Sequence, residues 1–476
     1  MDFPTQLFTD GAWRDAASGA TFDVTDPATG EVIAAVADAG PADVEAMIDA
    51  AERAQPGWAA LPAVERARIL RRAAALFEER IDPLAELLTR EQGKPLEQAR
   101  GEIRYGAGFI EWFAEEARRV YGSTIPATTG AKRILTIKQP IGITACVTPW
   151  NFPSLQILRK LGAALAAGCT MIVKPAELTP LSALEIARVF ADAGLPPGVL
   201  QVAPALDPVP VSGVLMADPR VRGISFTGST EVGKILMRQA ADTVKRVSLE
   251  LGGHAPFIVF ADADLDLAVA EAVAVKLRNM GQTCVSANRI YVHRDVVDEF
   301  TEKLRAAFAD LTVGNGLVPG VDVGPLVEQA ALDKVERHLT DALAKGATVV
   351  SGGARGNGLF FPPTILRDAD DTMQLAHEET FGPVAPIFTF ETEDEVVARA
   401  NNSPYGLAAY FFTADLRRAT RVAEALEYGT VGLNDASISA VQAPFGGVKQ
   451  SGIGREGGPL GMDEYLDVKY LSVGGL

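Results

Sequence analysis

The sequence predicts an α/β protein made of two successive doubly wound parallel-sheet domains, with a small β element outside them. Three observations carry this expectation. Between Ile143 and Leu251 short apolar runs alternate with amphipathic stretches of helical period, the pattern of a parallel sheet with helices on both faces. A second alternating region runs from Ala255 to about Leu433. Strand-like stretches at 124–139 and 465–473 stand outside both rhythms, and together they suit a protruding unit for contact between subunits.

In chain order, residues 1–40 carry short apolar runs separated by turn signals such as Asp26-Pro-Ala-Thr-Gly30, which predicts a few strands at a sheet edge. Pro41 suits the first turn of a helix whose buried face is Val44, Met47, Ile48 and Ala51. Ile69, Leu70, Ala73, Leu76 and Phe77 repeat the pattern. Asp82-Pro83 restarts a helix that Gly93-Lys-Pro95 closes, and a long helix follows from about Leu96 to Val120. The first alternating region places strands at 143–148, 170–174, 199–203, 222–227 and 245–251. The second places them at 255–260, 360–366, 388–390 and 407–413. The glycine-rich run Pro444-Phe-Gly-Gly-Val-Lys-Gln-Ser-Gly452 is expected to be irregular.

Composition narrows the partners. Hydrophobic residues make up 48% of the 476 residues and charged residues 22%, so the chain has apolar side chains enough for large cores. It carries 61 Asp and Glu against 44 Lys and Arg, a net charge of -17, which argues against nucleic acid or an anionic membrane as partner. Cys146, Cys169 and Cys284 are too few and too far apart for a disulfide framework or a metal cluster, so no metal is expected. With no basic-then-apolar start over 1–19, no apolar run of membrane-spanning length and no address at the end, a cytoplasmic protein is expected.

In parallel sheets ligands bind beyond the carboxyl ends of the strands. The loops there are Pro149-Trp-Asn-Phe-Pro153, Lys174-Pro-Ala-Glu177, Gly228-Ser-Thr-Glu-Val-Gly233 and Glu250-Leu-Gly-Gly253. Gly228-Ser229 opens a helix, whose free N–H groups can receive a phosphate. The spacing is neither that of a dinucleotide glycine fingerprint nor that of a triphosphate-binding loop. In the second region Gly281-Gln-Thr-Cys284-Val-Ser-Ala-Asn-Arg289 sets a single thiol in a polar run. Most free cysteines are small buried residues among apolar neighbours; this setting favours a nucleophile, active as the thiolate.

Taken together with Glu378-Glu-Thr-Phe-Gly-Pro383, these loops resemble the motif set of the aldehyde dehydrogenase superfamily, in the family's order and over nearly the whole chain. Thr148-Pro-Trp-Asn151, Gly281 to Arg289, Gly454-Arg-Glu-Gly457 and Asp463-Glu-Tyr-Leu466 are most similar to its succinate-semialdehyde branch. The resemblance implies a Rossmann-like NAD-binding domain (1–123 and 142–253), a catalytic domain (254–444) and an oligomerisation element (124–141 and 460–476) serving a homodimer or homotetramer. It also implies that Cys284 attacks an aldehyde, Asn151 and the Cys284 N–H hold the oxyanion, and Glu250 activates the water that hydrolyses the thioester. Thr148, Trp150, Asn151, Lys174, Pro175, Ala176, Glu177, Gly228, Ser229, Gly233, Leu251, Glu379 and Phe381 are then expected to bind the cofactor, and Arg159, Arg289 and Ser439 the substrate carboxylate.

The implied substrate is succinate semialdehyde. Glutarate semialdehyde, a ketoglutarate semialdehyde and a sulfonated aldehyde are the alternatives, because a pair of arginines recognises any of these anions. A CoA-acylating enzyme generally lacks the base that Glu250 supplies, and a non-catalytic binding protein has no use for the complete set. Two departures from the branch pattern leave chain length and head group open. Ser286 stands where some relatives carry a second cysteine, and His254 where the nearest carry Asn. Glu177 bears on the cofactor: a carboxylate accepts hydrogen bonds from ribose hydroxyls and repels a 2′-phosphate, so NAD is expected over NADP. Glu177→Ser should raise the ratio of kcat/KM with NADP to that with NAD; an unchanged ratio counts against this role.

Overall fold

The computed structural model describes residues 3–475; residues 1, 2 and 476, at the outer ends of the expected first and third parts, lie outside them. Among the described residues the strands form sheets of eight, seven, three and two strands. In the largest, Ile143–Val147 pairs in parallel with Thr170–Lys174 on one side and Val221–Thr227 on the other. Leu200–Val202 extends the first side and Arg246–Glu250 the second. The chain thus reverses its direction of travel across the sheet beside Ile143–Val147, and a ligand crevice opens at such a switch point. Ile143–Val147 and Thr170–Lys174 are buried throughout, as strands covered by helices on both faces must be.

The amino-terminal strands Leu7–Thr9 and Ala12–Arg14 continue the same sheet, joined to it where Phe8 lies opposite Val202. Helices Pro41–Ala60, Ala63–Glu79, Ile81–Gln92 and Leu96–Glu116 follow. The third stops at Gly93, whose φ of 94° suits a residue without a side chain. The last sheds its final turn into a short 3₁₀ segment, Ala117–Arg119, ahead of the expected end.

In the seven-stranded sheet Ala255–Val259 lies between Ala287–His293 and Ala408–Phe412, all parallel. Val384–Phe390 and Thr364–Arg367 extend one side and Thr430–Leu433 the other. The strand expected at 388–390 begins four residues earlier and includes Pro386, a residue seldom seen inside a sheet, which hid its start. In the small sheet Leu466–Gly474 runs antiparallel to Lys132–Pro140, which also pairs with Ser123–Ile125. The glycine-rich closing segment is not wholly irregular: Gly452–Ile453 returns to pair antiparallel with Arg246–Glu250. Among the described residues no helix is long and apolar enough to cross a membrane, and no cluster of His, Cys, Asp and Glu has a metal-holding arrangement.

The two large sheets meet at Gly252-Gly253, between Arg246–Glu250 and Ala255–Val259. A Cβ on Gly253 would lie 2.1 Å from the Cys284 carbonyl oxygen, so the backbones themselves are in contact. Gly253→Ala should therefore cost about 1–3 kcal/mol through overpacking, read as a lower urea midpoint with an unchanged slope.

Candidate active site

The crevice beside Ile143–Val147 is a cavity of about 320 Å³ between the two large sheets. Trp150, Asn151, Gly228, Ser229, Glu250 and Leu251 form one wall; Cys284, Glu379, Thr380, Phe381 and Lys334 form the other. Ser229 caps the helix Thr230–Ala241 by accepting a hydrogen bond from Val232 N at 3.3 Å, and this turns the helix N-terminus toward the cavity. Gly228 is required there, because a Cβ would fall 2.3 Å from the Phe226 ring. Trp150 and Phe381 meet edge to face with centroids 5.6 Å apart. Phe381 holds a φ of 57°, costly for an aromatic residue and a mark of a constrained site.

Not every expected cofactor residue reaches this wall. Thr148 is buried behind it, and Gly233 serves packing, its Cα so close to Leu251 that a Cβ would lie 2.4 Å from that side chain. Lys174, Pro175, Ala176 and Glu177 follow the next strand of the sheet. Lys174 Nζ lies 3.5 Å from Glu177 Oε2, and burial lowers the ammonium pKa against the pull of Glu177. The Glu177 charge also reaches Glu328 on the cavity wall, where burial and then Glu177 raise the carboxyl. Burial pushes Glu379 up to about 8; its Oε1 accepts from Gly253 N at 3.2 Å. This donor set, a helix N-terminus for a pyrophosphate, carboxyls for ribose hydroxyls and an aromatic pair for a flat ring, fits a dinucleotide. Lys334, on the helix Gln329–Ala344, is a wall residue that the sequence reading did not single out.

Cys284 follows Arg278–Gly281, where Asn279, Met280 and Gly281 take φ of 51°, 57° and 75°. Three successive left-handed residues bend the chain so that the thiol faces Glu250. Burial first, and the Glu250 charge next, hold the thiol pKa well above its ordinary value. Burial likewise raises the Glu250 carboxyl to about 7, helped by the charge of Glu456. The two groups interact without a well-formed hydrogen bond, and neither Glu250 oxygen has a partner among the described residues. Asn151 is buried; its Nδ2 donates to Gln282 O at 3.0 Å and its Oδ1 is unpartnered.

A buried ionic group backs Glu250. Glu456 accepts hydrogen bonds from Lys160 Nζ and, at 3.2 Å, from Arg159 Nη1. Burial alone would raise Glu456, but the two cations hold it below the usual range. Lys160 also donates to Thr227 Oγ1 at 2.5 Å. Neither Lys160 nor Glu456 was picked out from the sequence, for they meet only because Gly452–Ile453 brings the chain back to the first sheet.

Beyond the cysteine loop lies a second cavity of about 730 Å³, with Tyr105, Arg278, Val285, Ser437 and Ser439 on its walls. Arg159 is 3% exposed, flanked by the Phe109 and Phe445 rings at 4.9 and 4.6 Å, with Nε unpartnered. Arg289, expected beside it, is elsewhere. Its guanidinium is buried and donates to the carbonyls of His254, Arg399 and Ala400 and to the Tyr428 hydroxyl, which leaves it no room for a substrate. The arginine on the cavity wall is Arg278, exposed, 5.1 Å from the Phe152 ring and without a carboxylate partner among the described residues. Its signal in the sequence was a cation just past the helix Leu265–Leu277, six residues before Cys284.

The model of the aldehyde dehydrogenase family matches residues 13–471. This chain belongs to that family. It is 55% identical to a glutarate-semialdehyde dehydrogenase of Pseudomonas aeruginosa, over 100% of this chain and 98% of that one. It is 54% identical to an NADP-dependent succinate-semialdehyde dehydrogenase of Escherichia coli, over 99% and 98%. The crystal structure of an NADP-dependent enzyme from E. coli superposes with a TM-score of 0.98 at 54% identity, again over 99% and 98% of the two chains. Aldehyde dehydrogenases use NAD or NADP as hydride acceptor.

The placement of Glu250 generates a test. A carboxyl near 7 gains its base form as pH rises through neutrality, so product release from the acyl-enzyme should accelerate through that range and then level. Glu250→Gln should slow turnover about 10²-fold or more and remove that pH limb. The single equivalent of reduced cofactor per subunit should also appear more slowly in stopped-flow absorbance, because the same carboxylate faces the thiol.

Proposed function

We propose that this enzyme oxidises a short aldehyde bearing a distal anion, with succinate semialdehyde as the first substrate. The observation that carries this reading is Arg278, a guanidinium without a carboxylate partner among the described residues, on the wall of the cavity that Val285, the residue after Cys284, also lines. Arg159, set deeper between two aromatic rings, and the Ser439 hydroxyl supply further donors for a carboxylate. The size of this cavity favours glutarate semialdehyde as the second reading.

Cys284 attacks the aldehyde carbon, and the ionised Glu250 beside it accepts the thiol proton. The oxyanion of the thiohemiacetal takes hydrogen bonds from Asn151 Nδ2 and the Cys284 backbone N–H. Donors already in place cost nothing to reorganise, and loss of one such donor typically costs about 10²- to 10³-fold in rate. The nicotinamide, when bound, accepts the hydride that this collapse expels. Glu250, once it has given the thiol proton to solvent, takes a proton from the water that attacks the thioester, and the carboxylate product leaves Cys284.

Trp150, Ser229, Glu379, Phe381 and Lys334 hold the cofactor in this reading. Glu177 beyond them supports NAD over NADP, in contrast to the named cofactor of the E. coli relative. The three-stranded sheet is an assembly surface for a homodimer or homotetramer, since Leu466–Gly474 has an unpaired outer edge and exposes Val468 and Tyr470.

A kcat/KM series over succinate, glutarate, sulfonated and uncharged aldehydes tests the substrate. Arg278→Ala and Arg159→Ala should each raise KM for the anionic aldehydes about tenfold or more, the worth of a charge-assisted hydrogen bond, and leave an uncharged aldehyde nearly unaffected. Equal losses on both classes would make these arginines structural.

A further inference from the structure

The most deeply buried ion pair of the described residues lies under Asn151 and takes no part in the chemistry above. Lys94 Nζ and Glu102 Oε2 are 2.5 Å apart, with side chains 1% and 0% exposed. A buried pair gains little over apolar packing, and removal of one partner leaves a costly unpaired charge. Stability alone therefore does not account for it. Its remaining hydrogen bonds go to one short segment. Glu102 Oε1 accepts from Ser154 N at 3.0 Å and Leu155 N at 3.1 Å, which satisfies the open N-terminus of the helix Leu155–Ala167. Lys94 Nζ donates to Asn151 O at 2.8 Å and stands 4.0 Å from the centre of the Phe152 ring.

The same carbonyl is gripped from the other side. Asn279 Nδ2 donates to Asn151 O at 2.8 Å, and Asn279 N donates to Gln98 Oε1 at 2.8 Å. Gln98 and Glu102 are four residues apart on one face of the helix Leu96–Glu116, and Lys94 lies in the short link that leads into it. That link and helix face together touch both the loop that presents Asn151 and the loop that leads to Cys284. Those loops come from different sheets, yet their two donors must converge on one oxygen atom.

We propose that Lys94, anchored by Glu102, is a positioning residue that fixes the Asn151 main chain so that its side-chain amide meets the oxyanion. The proposal rests on Asn151 being an oxyanion donor. Lys94 touches neither substrate nor thiol; its effect passes through the carbonyl it holds.

Two reactions of the thiol in the full-length enzyme separate this role from a general one. Acylation by p-nitrophenyl acetate passes through a tetrahedral oxyanion; alkylation by iodoacetamide displaces iodide at a saturated carbon and forms none. Lys94→Met should lower the acylation rate about 10²-fold, the scale of an ångström's misplacement, and leave alkylation unchanged. K94M/E102Q, with no buried charge left unpaired, should show the same selective loss, and so should Asn151→Ala. Selective loss in N151A with wild-type acylation in K94M and in the double variant overturns the positioning role alone. Wild-type acylation in all three variants removes the Asn151 reading as well. Equal losses in acylation and alkylation in both Lys94 variants overturn the proposal in favour of general support of the cysteine loop.

Discussion

The reaction centre depends on two stretches of main chain being allowed to touch. Gly253 leaves the space that the Cys284 carbonyl fills, and Gly281 does the same for the carbonyl of Gly382, 2.2 Å from where its Cβ would be. These contacts fasten three segments to one another: the end of the first large sheet, the cysteine loop and the 379–382 loop. No side chain separates them. Glu250, Cys284 and Glu379 are thereby drawn onto the walls of one enclosure, and burial is the leading cause of the raised pKa of all three.

An enclosure that disfavours charge has to be supplied with it deliberately. The chain does so with buried cations set behind the cavity walls. Lys160 and Arg159 share Glu456, and Lys276 is buried beneath the cysteine loop, where it donates to Asn288 Oδ1 at 3.0 Å and to Ser286 Oγ at 3.3 Å. Burial brings that amine down to about 7. Acids drawn upward and amines drawn downward end close together near neutral pH, so small rearrangements suffice to move protons among them. Glu456 is delivered from the far end of the chain, which makes the short strand Gly452–Ile453 part of the electrostatics as well as of the sheet.

Much of this was legible in the sequence, for identifiable reasons. Strands covered on both faces are short apolar runs, so the central strands of the first sheet and Ala255–Val259 and Ala408–Phe412 of the second were found within a few residues, whereas Ala287–His293, at the middle of the second, was not placed. Leu466–Gly474 and Lys132–Pro140 were found because their alternation stands apart from the surrounding rhythm. The loops bearing Asn151, Glu250 and Cys284 carry local motifs that resemble a known family. What was missed depends on meetings between distant segments. Arg289 was expected as a ligand from the family resemblance, yet its neighbours in space are carbonyls closing the helix Glu393–Asn401, a common use of arginine at a helix C-terminus. Arg278 has no local motif to mark it, and only the fold brings the Phe152 ring to it.

The two cavities also differ in what holds their walls. Around the thiol the fit is set by main chain against main chain, and almost any added atom collides. The larger cavity is walled by single side chains, Tyr105, Arg278, Val285, Ser437 and Ser439, borne on separate segments. Substrate preference can therefore drift by isolated substitutions across a lineage while the chemistry stays frozen, and relatives that share more than half of this sequence carry the names of different semialdehydes.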